Sequence, residues 1–436
     1  MKTGSCFCRF LFSSLHRRQS SMKTYFKNLE KEWVDLMSAT INSRPLSGEE
    51  KGCADIYMNA LEEIGAEHFR DGAGNVIGII RGEGTGPNIL LNGHMDVVPA
   101  GNMDAWGDID PFRAEVRDGK LYGRGTSDML SGLCCQFFAF REIKKMVDAG
   151  AKLPGDLIFS GVVFEEPAES MGAIYLFEHT LPEHNLHVDL VYLGEPTYGN
   201  LLIGQRGKVE LVIDVYGKVA HSSAPWRGIS AVEKAQPVIQ AAFNNFYEPS
   251  MTHEKLGFSA MTITDIVVTP GKMYSCVPDH CEITIDRRYV PPMTIADTIA
   301  QIQKFLDFLA EKDPDFKAEV HQRMNHRICY TGYETDVAKQ HPAWIDDPDC
   351  EYISRSFKAL EAVGQTPEEG YFVGGTDGSI FTGVYGIPTI AYSWQYPMLC
   401  HQPGEYAVIE DELKEIEGYT AMLCEIFGLD FSKFED

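Results

Sequence analysis

Residues Asn88 to Pro99 read Asn-Ile-Leu-Leu-Asn-Gly-His-Met-Asp-Val-Val-Pro. Ile89, Leu90 and Leu91 form a short apolar run of the kind that makes a buried strand, and Gly93 ends it. His94 and Asp96 follow two positions apart, so in extended chain they project to the same side. One imidazole and one carboxylate thus leave the tip of a strand together. That suits a metal-bound His with an Asp that orients it or acts beside it. By itself His-x-Asp reads as readily as a loop His beside a turn-capping Asp. What raises it is the repetition of metal-type residues at similar places downstream. Asp128 ends a glycine-punctuated loop, Leu121 to Asp128. Glu165-Glu166 follow the apolar run Asp156 to Phe164. Glu195 follows Val188 to Leu193, and His401 follows Ile387 to Tyr392.

Two divalent cations about 3.5–4 Å apart can hold both the attacking and the leaving oxygens of a hydrolysis. Such a pair takes about two protein ligands per metal and a bridging carboxylate. His94, Asp128, Glu166, Glu195 and His401 supply that set. Glu165 and Glu166 are neighbours, so in extended chain they point apart. One can bind metal while the other faces substrate as a general base. Beside two cations Glu165 stays ionised and can take a proton from a bridging water. Taken singly, Glu165-Glu166 is an acidic turn, Asp128 a helix N-cap and His401 uninformative.

The elements that must position these residues alternate along the chain. Tyr25 to Thr40 reads as a helix, and Ser47 to Ile64 as a second with Ser47 and Glu50 as a capping box. Asn75 to Ile80 and Asn88 to Asn92 read as strands, and Met129 to about Val147 as a helix. Continuous apolar strands between helices predict an α/β fold with a mostly parallel sheet and helices on both faces. His94, Asp96, Glu165, Glu166 and Glu195 then lie beyond the carboxyl ends of strands, where open α/β sheets bind ligands.

From about Gly204 to His326 the pattern changes. Lys208 to Tyr216, Met261 to Val268 and His280 to Tyr289 alternate like half-exposed strands. With helices at Ser230 to Phe246 and Thr294 to Lys312, and a strand at Lys317 to Gln322, the order is β-α-β-β-α-β. That predicts an inserted ferredoxin-like α+β unit. The expected domains are 22–204 with 327–436 for catalysis and 205–326 for the insert.

The 436-residue chain is 44% hydrophobic, which is enough for more than one core. Its 38 basic and 63 acidic side chains give a formal charge of −25. Such a balance argues against nucleic-acid or anionic-membrane partners. Eleven scattered cysteines form no zinc-finger, redox or disulfide pattern and are expected to be reduced in a cytoplasmic setting. No apolar run approaches the ~20 residues that span a bilayer. Residues 1–21 contain no acid and four basic residues, which fits a disordered tail, an upstream start with Met22 the true one, or a transit peptide.

The segments Gly93-His94-Met95-Asp96-Val97-Val98-Pro99, Tyr122 to Met129, Glu165-Glu166, Glu195-Pro196-Thr197, Gly217 to Ser223, Asp286-Arg287-Arg288 and Gly374 to Asp377 occur in one order. Together they resemble the co-catalytic zinc aminoacylase/carboxypeptidase family, which includes acetylornithine deacetylase, succinyl-diaminopimelate desuccinylase and glutamate carboxypeptidase. The resemblance implies a zinc-peptidase-type sheet and an inserted lid that pairs two copies as a homodimer. It implies two divalent metals, Zn first and Co or Mn as alternatives. Asp128 would bridge them, with a cis peptide after it. His94 and Glu195 would complete one site, and Glu166 and His401 the other. Asp96 would support His94, and Glu165 would be base and then proton donor. His221 would steady the oxyanion across the dimer, and Arg288 with the Gly375 loop would hold the substrate carboxylate.

The departures from that pattern all border the pocket. Met-Leu-Ser-Gly follows Asp128, and Pro167-Ala168-Glu169-Ser170 follows Glu166. No Arg stands in the Gly375 loop, and Tyr392-Ser393-Trp394-Gln395 precedes His401. They bear on the substrate rather than the reaction. The expected reaction is hydrolysis of an N-acyl amino acid by a metal-bridging hydroxide. The alternatives are dipeptidase or carboxypeptidase action and a non-catalytic metal-binding scaffold.

Overall fold

The computed structural model describes residues 23–271 and 274–434. The expectations for residues 1–21 lie outside the described residues.

The central sheet runs in the order Glu67–Arg70, Val76–Ile80, Leu157–Val162, Ile89–His94, Leu190–Leu193, Thr389–Tyr392, Leu201–Gln205, Trp344–Ile345, with Glu369–Phe372 also paired to Leu201–Gln205. Its middle is parallel: Ile89–His94 lies between Leu157–Val162 and Leu190–Leu193, and Thr389–Tyr392 continues the same direction. Its flanks are antiparallel. The central strands are buried at every position. Ile89 and Leu91 face one apolar layer with Trp33, Phe138 and Met422; Leu90 faces the opposite layer with Leu176 and Phe381. This two-sided burial explains why the strands read as unbroken apolar runs. Each such Leu or Ile contributes about 1.5–3 kcal/mol, so the sheet is a stiff platform for whatever its carboxyl ends carry.

A separate antiparallel sheet is formed by Ala260–Thr269, His280–Tyr289, Gly207–Tyr216 and Lys317–Gln322, in that spatial order. Helices Ala231–Phe243 and Ile295–Lys312 cover one face through Val209, Leu211, Ile213 and Val215. Even-numbered residues of Gly207–Tyr216, Lys208 among them, turn to the other face. Thr294 caps its helix with a capping box to Asp297. The return to the central sheet is more involved than a crossing at residue 326. A hairpin, Met324–Ile328 with Glu334–Ala338, puts Cys329 and Val337 into the main core. The chain then revisits the second sheet as Gln340–His341, paired with Val209 and Lys208. Two residues are too short for a periodic signal, which is why this strand has no trace in the sequence pattern.

Several boundaries shift. The first helix is two pieces, Thr24–Lys27 and Glu30–Asn42. The second is Lys51–Glu63, and the Ser47–Glu50 capping box does not form. Instead the Ser47 hydroxyl donates to Asp96 Oδ2 (2.6 Å), while Glu50 Oε1 accepts from the Gly48 and Phe164 amides. These two side chains fasten the loop under the site rather than the helix end. The nine cysteines among the described residues are all free, and six of them are buried.

Behind the sheet, two more acids are buried on the closing helix. Glu415 Oε2 accepts from the Trp394 amide (2.7 Å) and Gln395 Nε2 (2.8 Å), and the same amide group reaches Glu412. Burial pushes the Glu415 carboxyl up to about 8. Folding therefore takes up a proton between the ordinary carboxylate range and about pH 8, so stability falls as pH rises through that window. Glu415→Gln is expected to gain on the order of 1–2 kcal/mol over the parent at pH 8 and much less at pH 5. Parallel unfolding curves for the two proteins at both pH values measure that difference.

Candidate metal centre and substrate pocket

At the carboxyl ends of the parallel strands, acids converge on two imidazoles. His94 Nε2 lies 3.3 Å from Asp128 Oδ1, 3.8 Å from Glu195 Oε1 and 3.9 Å from Glu165 Oε2. His401 Nε2 lies 3.2 Å from Asp128 Oδ2 and 2.9 Å from Glu166 Oε2. One carboxylate, Asp128, thus turns one oxygen to each ring, the placement a bridging ligand needs. Ligand atoms of His94, Asp128 and Glu166 lie within 4.8 Å of one another, as do those of His94, Glu165 and Glu195. By distance alone Glu165 is as close to His94 as Glu195 is. The peptide after Asp128 is cis, as the resemblance implies. His401 adopts φ 62°, a left-handed conformation uncommon for a residue with a side chain.

Asp96 is fully buried, and its role differs from the expectation. His94 Nδ1–H donates to the Asp96 main-chain carbonyl (2.8 Å), whereas the Asp96 carboxylate is 3.7 Å away. A carbonyl only accepts, so Nδ1 carries a proton and Nε2 is the ring nitrogen turned to the nest, where the Asp128 contact and the neighbouring acids outweigh burial and push the imidazole well above its ordinary pKa. The carboxylate instead accepts the amides of Glu165 (3.1 Å, Oδ1) and Glu166 (3.1 Å, Oδ2). Asp96 therefore sets both acids of the pair through their backbone. Glu405 does the same for the opposite wall. Its Oε1 accepts from the amides of Ser127 (2.6 Å) and Asp128 (3.2 Å), and its Oε2 pairs with buried Arg124 at 2.6 Å. Nothing in the sequence distinguishes Glu405 from a surface acid.

The electrostatics call for positive charge. Burial, then the neighbouring acids, push Glu165 and Glu195 well above the usual carboxylate range. Hydrogen bonds to Asp128 and Glu166 push His401 up to about 10. Burial raises Asp128 as well, but His401 and His94 outweigh it and hold that carboxyl low. His94 Nε2 is buried and makes no hydrogen bond. Four carboxylates gathered on two imidazoles, so that the glutamates rise and the imidazoles take up protons, fit divalent cations held by imidazole and carboxylate.

The nest opens into a cavity of ≈ 410 Å³ that Lys208, Arg288 and His341 also line, with His341 Nε2 4.0 Å from Glu165 Oε1. Gly375 belongs to this wall: a Cβ there would meet the His341 ring at 2.3 Å. Arg288 is in the cavity, with Nε 2.8 Å from Asp286 Oδ1. His221 is not in the cavity. It is exposed on the second sheet's side, with Nδ1 2.8 Å from Ser223 Oγ. Lys208 and His341 were not foreseen. Lys208 stands in a strand pattern as an ordinary polar position, and His341 in the two-residue strand.

Comparison with known proteins agrees with this geometry. Residues 90–425 match peptidase family M20/M25/M40. The chain is 26% identical over 359 residues to a probable succinyl-diaminopimelate desuccinylase of Staphylococcus aureus, covering 76% of this chain and 81% of that one. Its fold is similar to aminopeptidase PepT from Bacillus cereus, with TM-score 0.68, 20% identity, and 92% and 98% of the two chains covered. It is also similar to YXEP of Bacillus subtilis, described as a dinuclear metal-binding peptidase, with TM-score 0.64, 15% identity, and 92% and 98% covered. The chain belongs to peptidase family M20/M25/M40, and is a hydrolase of amide or peptide bonds. No helix among the described residues is long and apolar enough to cross a membrane.

If His401 and Glu166 serve one ion and His94 and Glu195 the other, the two can be lost separately. His401→Ala, purified in excess Zn, is expected to fall from two metals per chain to about one by elemental analysis. Asp128→Asn is expected to weaken both. Gly375→Ala is expected to displace His341 and cut activity while metal content stays at the parent value.

Proposed function

We propose that this protein is a metal-dependent amidohydrolase that cleaves the amide bond of an N-acyl amino acid. The observation that carries the reading is one small cavity lined both by an acidic nest with two imidazoles and by the cations Lys208 and Arg288. The volume suits a small molecule rather than a folded chain.

His94 and Glu195 would hold one cation, Glu166 and His401 the second, with Asp128 shared between them. Zn suits this donor set, and Co or Mn is also compatible with it. Bound there, two cations supply a polarised carbonyl and an acidified water. Glu165 is the base: it takes the proton of the attacking water and returns it to the leaving amine. Asp96 keeps Glu165 aimed by gripping its amide. The positive end of the cavity receives the carboxylate, with Arg288 and the Gly375 loop on that side. His221 reaches the oxyanion from a second copy when two lids pair as a homodimer. The edge strand Ala260–Thr269, with Ile266 and Val267 exposed, offers the pairing surface.

The acids lining the cavity all belong to the nest, so none is left over to receive a substrate ammonium. This favours an N-acylated substrate over the free amino terminus of a dipeptide. A panel of N-acetyl amino acids and dipeptides, assayed with added Zn or Co, separates the two. Preferential turnover of dipeptides would replace the deacylase reading. Glu165→Gln should retain both metals yet lower kcat by roughly 10²–10⁴-fold. Turnover at the parent rate would remove Glu165 from the role of base.

A further inference from the structure

Three side chains stand in a row across the second sheet on the face turned away from its helices. Arg288 is directly opposite Lys208 in one antiparallel pair, and His341 is directly opposite Lys208 in the other. All three line the cavity over the metal nest. Their charges are not equally available. Asp286 takes the Arg288 fork side-on, at 2.8 Å from Nε and 3.4 Å from Nη2. Lys208 is 8% exposed, and its ammonium makes no hydrogen bond among the described residues. Its nearest carboxylate oxygen, Asp286 Oδ2, is 3.9 Å away and already shared with Arg288. His341 adds no charge: burial first, then Lys208 and Arg288, push its pKa down to about 3. The ammonium on this mostly buried side chain is held by no hydrogen bond among the described residues and can take an acceptor from the cavity that it lines. The open side of Lys208 is the cavity.

We propose that Lys208, rather than Arg288, is the cation that reads the substrate's carboxylate. Asp286 holds Arg288 in place, and Arg288 in turn keeps Asp286 from closing on Lys208. This rests on the N-acyl amino acid reading above. The carboxylate is that of the amino acid or one at the end of the acyl chain; the ligand chemistry is the same.

Binding to the Zn-loaded Glu165→Gln protein tests this without turnover. Three compounds are titrated calorimetrically: N-acetyl-L-alanine, N-acetyl-L-alaninamide and N-succinyl-L-alaninamide. The first carries its carboxylate on the amino acid, the third on the acyl group, and the second carries none. At least one carboxylate compound is expected to bind roughly 10- to 100-fold tighter than N-acetyl-L-alaninamide. Adding Lys208→Met should erase that ratio and adding Lys208→Arg should recover most of it. The compound that shows the effect identifies the source of the carboxylate. A ratio that survives Lys208→Met, or no preference for either carboxylate, overturns the proposal. Failure of the unmutated enzyme to hydrolyse any N-acyl amino acid sinks the broader reading instead, and is scored in a separate assay.

Discussion

The structure is governed by the need to hold like charges together. Asp128, Glu165, Glu166 and Glu195 crowd around two imidazoles in a largely buried nest. Two carboxylates 4 Å apart repel by about 4 kcal/mol at an effective dielectric constant of 20, so the arrangement would spread unless restrained. The restraints are visible one layer out. Asp96 grips two amides, Glu405 grips two more and is itself tied to Arg124, and Ser47 ties Asp96 down. The parallel strands beneath them are buried on both faces and have little freedom to yield. Cations bound between these side chains would relieve the repulsion that the scaffold maintains.

The second sheet supplies the complement. It faces the nest with cations while its apolar residues are turned to its own helices. Because strand residues alternate, one register decides which set looks into the cavity. Lys208, Arg288 and His341 come from three strands distant in sequence, and only antiparallel pairing puts them in line. The cavity therefore takes carboxylates and an imidazole from around the central sheet's strand ends, and Lys208, Arg288 and His341 from the second sheet.

Much of this was legible from residues alone. The apolar runs ending at His94, Glu165 and Glu195 announced strands, and the ligand-type residues at their ends announced the nest. The alternation after Gly204 announced a second kind of sheet. Where reading failed, the cause was a tertiary contact competing with a local motif. Ser47 and Glu50 have capping-box spacing, yet both side chains are drawn off to the Asp96 and Phe164 loops. Asp96 was expected to support His94, and its main-chain carbonyl is what meets His94 Nδ1 while its carboxylate takes the Glu165 and Glu166 amides. The residue type pointed to the right place and could not say which oxygen would be used.

The sequence by itself determined the fold class, the family and the set of ligand-type side chains, because apolar periodicity and residue chemistry are local properties. Tertiary structure alone decided that Glu405 holds the Asp128 loop and that Asp286 occupies Arg288. It also left Lys208 beside a neutral His341, with its nearest carboxylate oxygen, on Asp286, 3.9 Å away. Those facts depend on which chain segments lie side by side and which face each strand presents. For Glu405 and for the row of Lys208, Arg288 and His341 no window of sequence contains that information, since the partners lie far apart along the chain; Asp286 and Arg288 are only two positions apart, and there the fold decides that both turn to the same face of their strand.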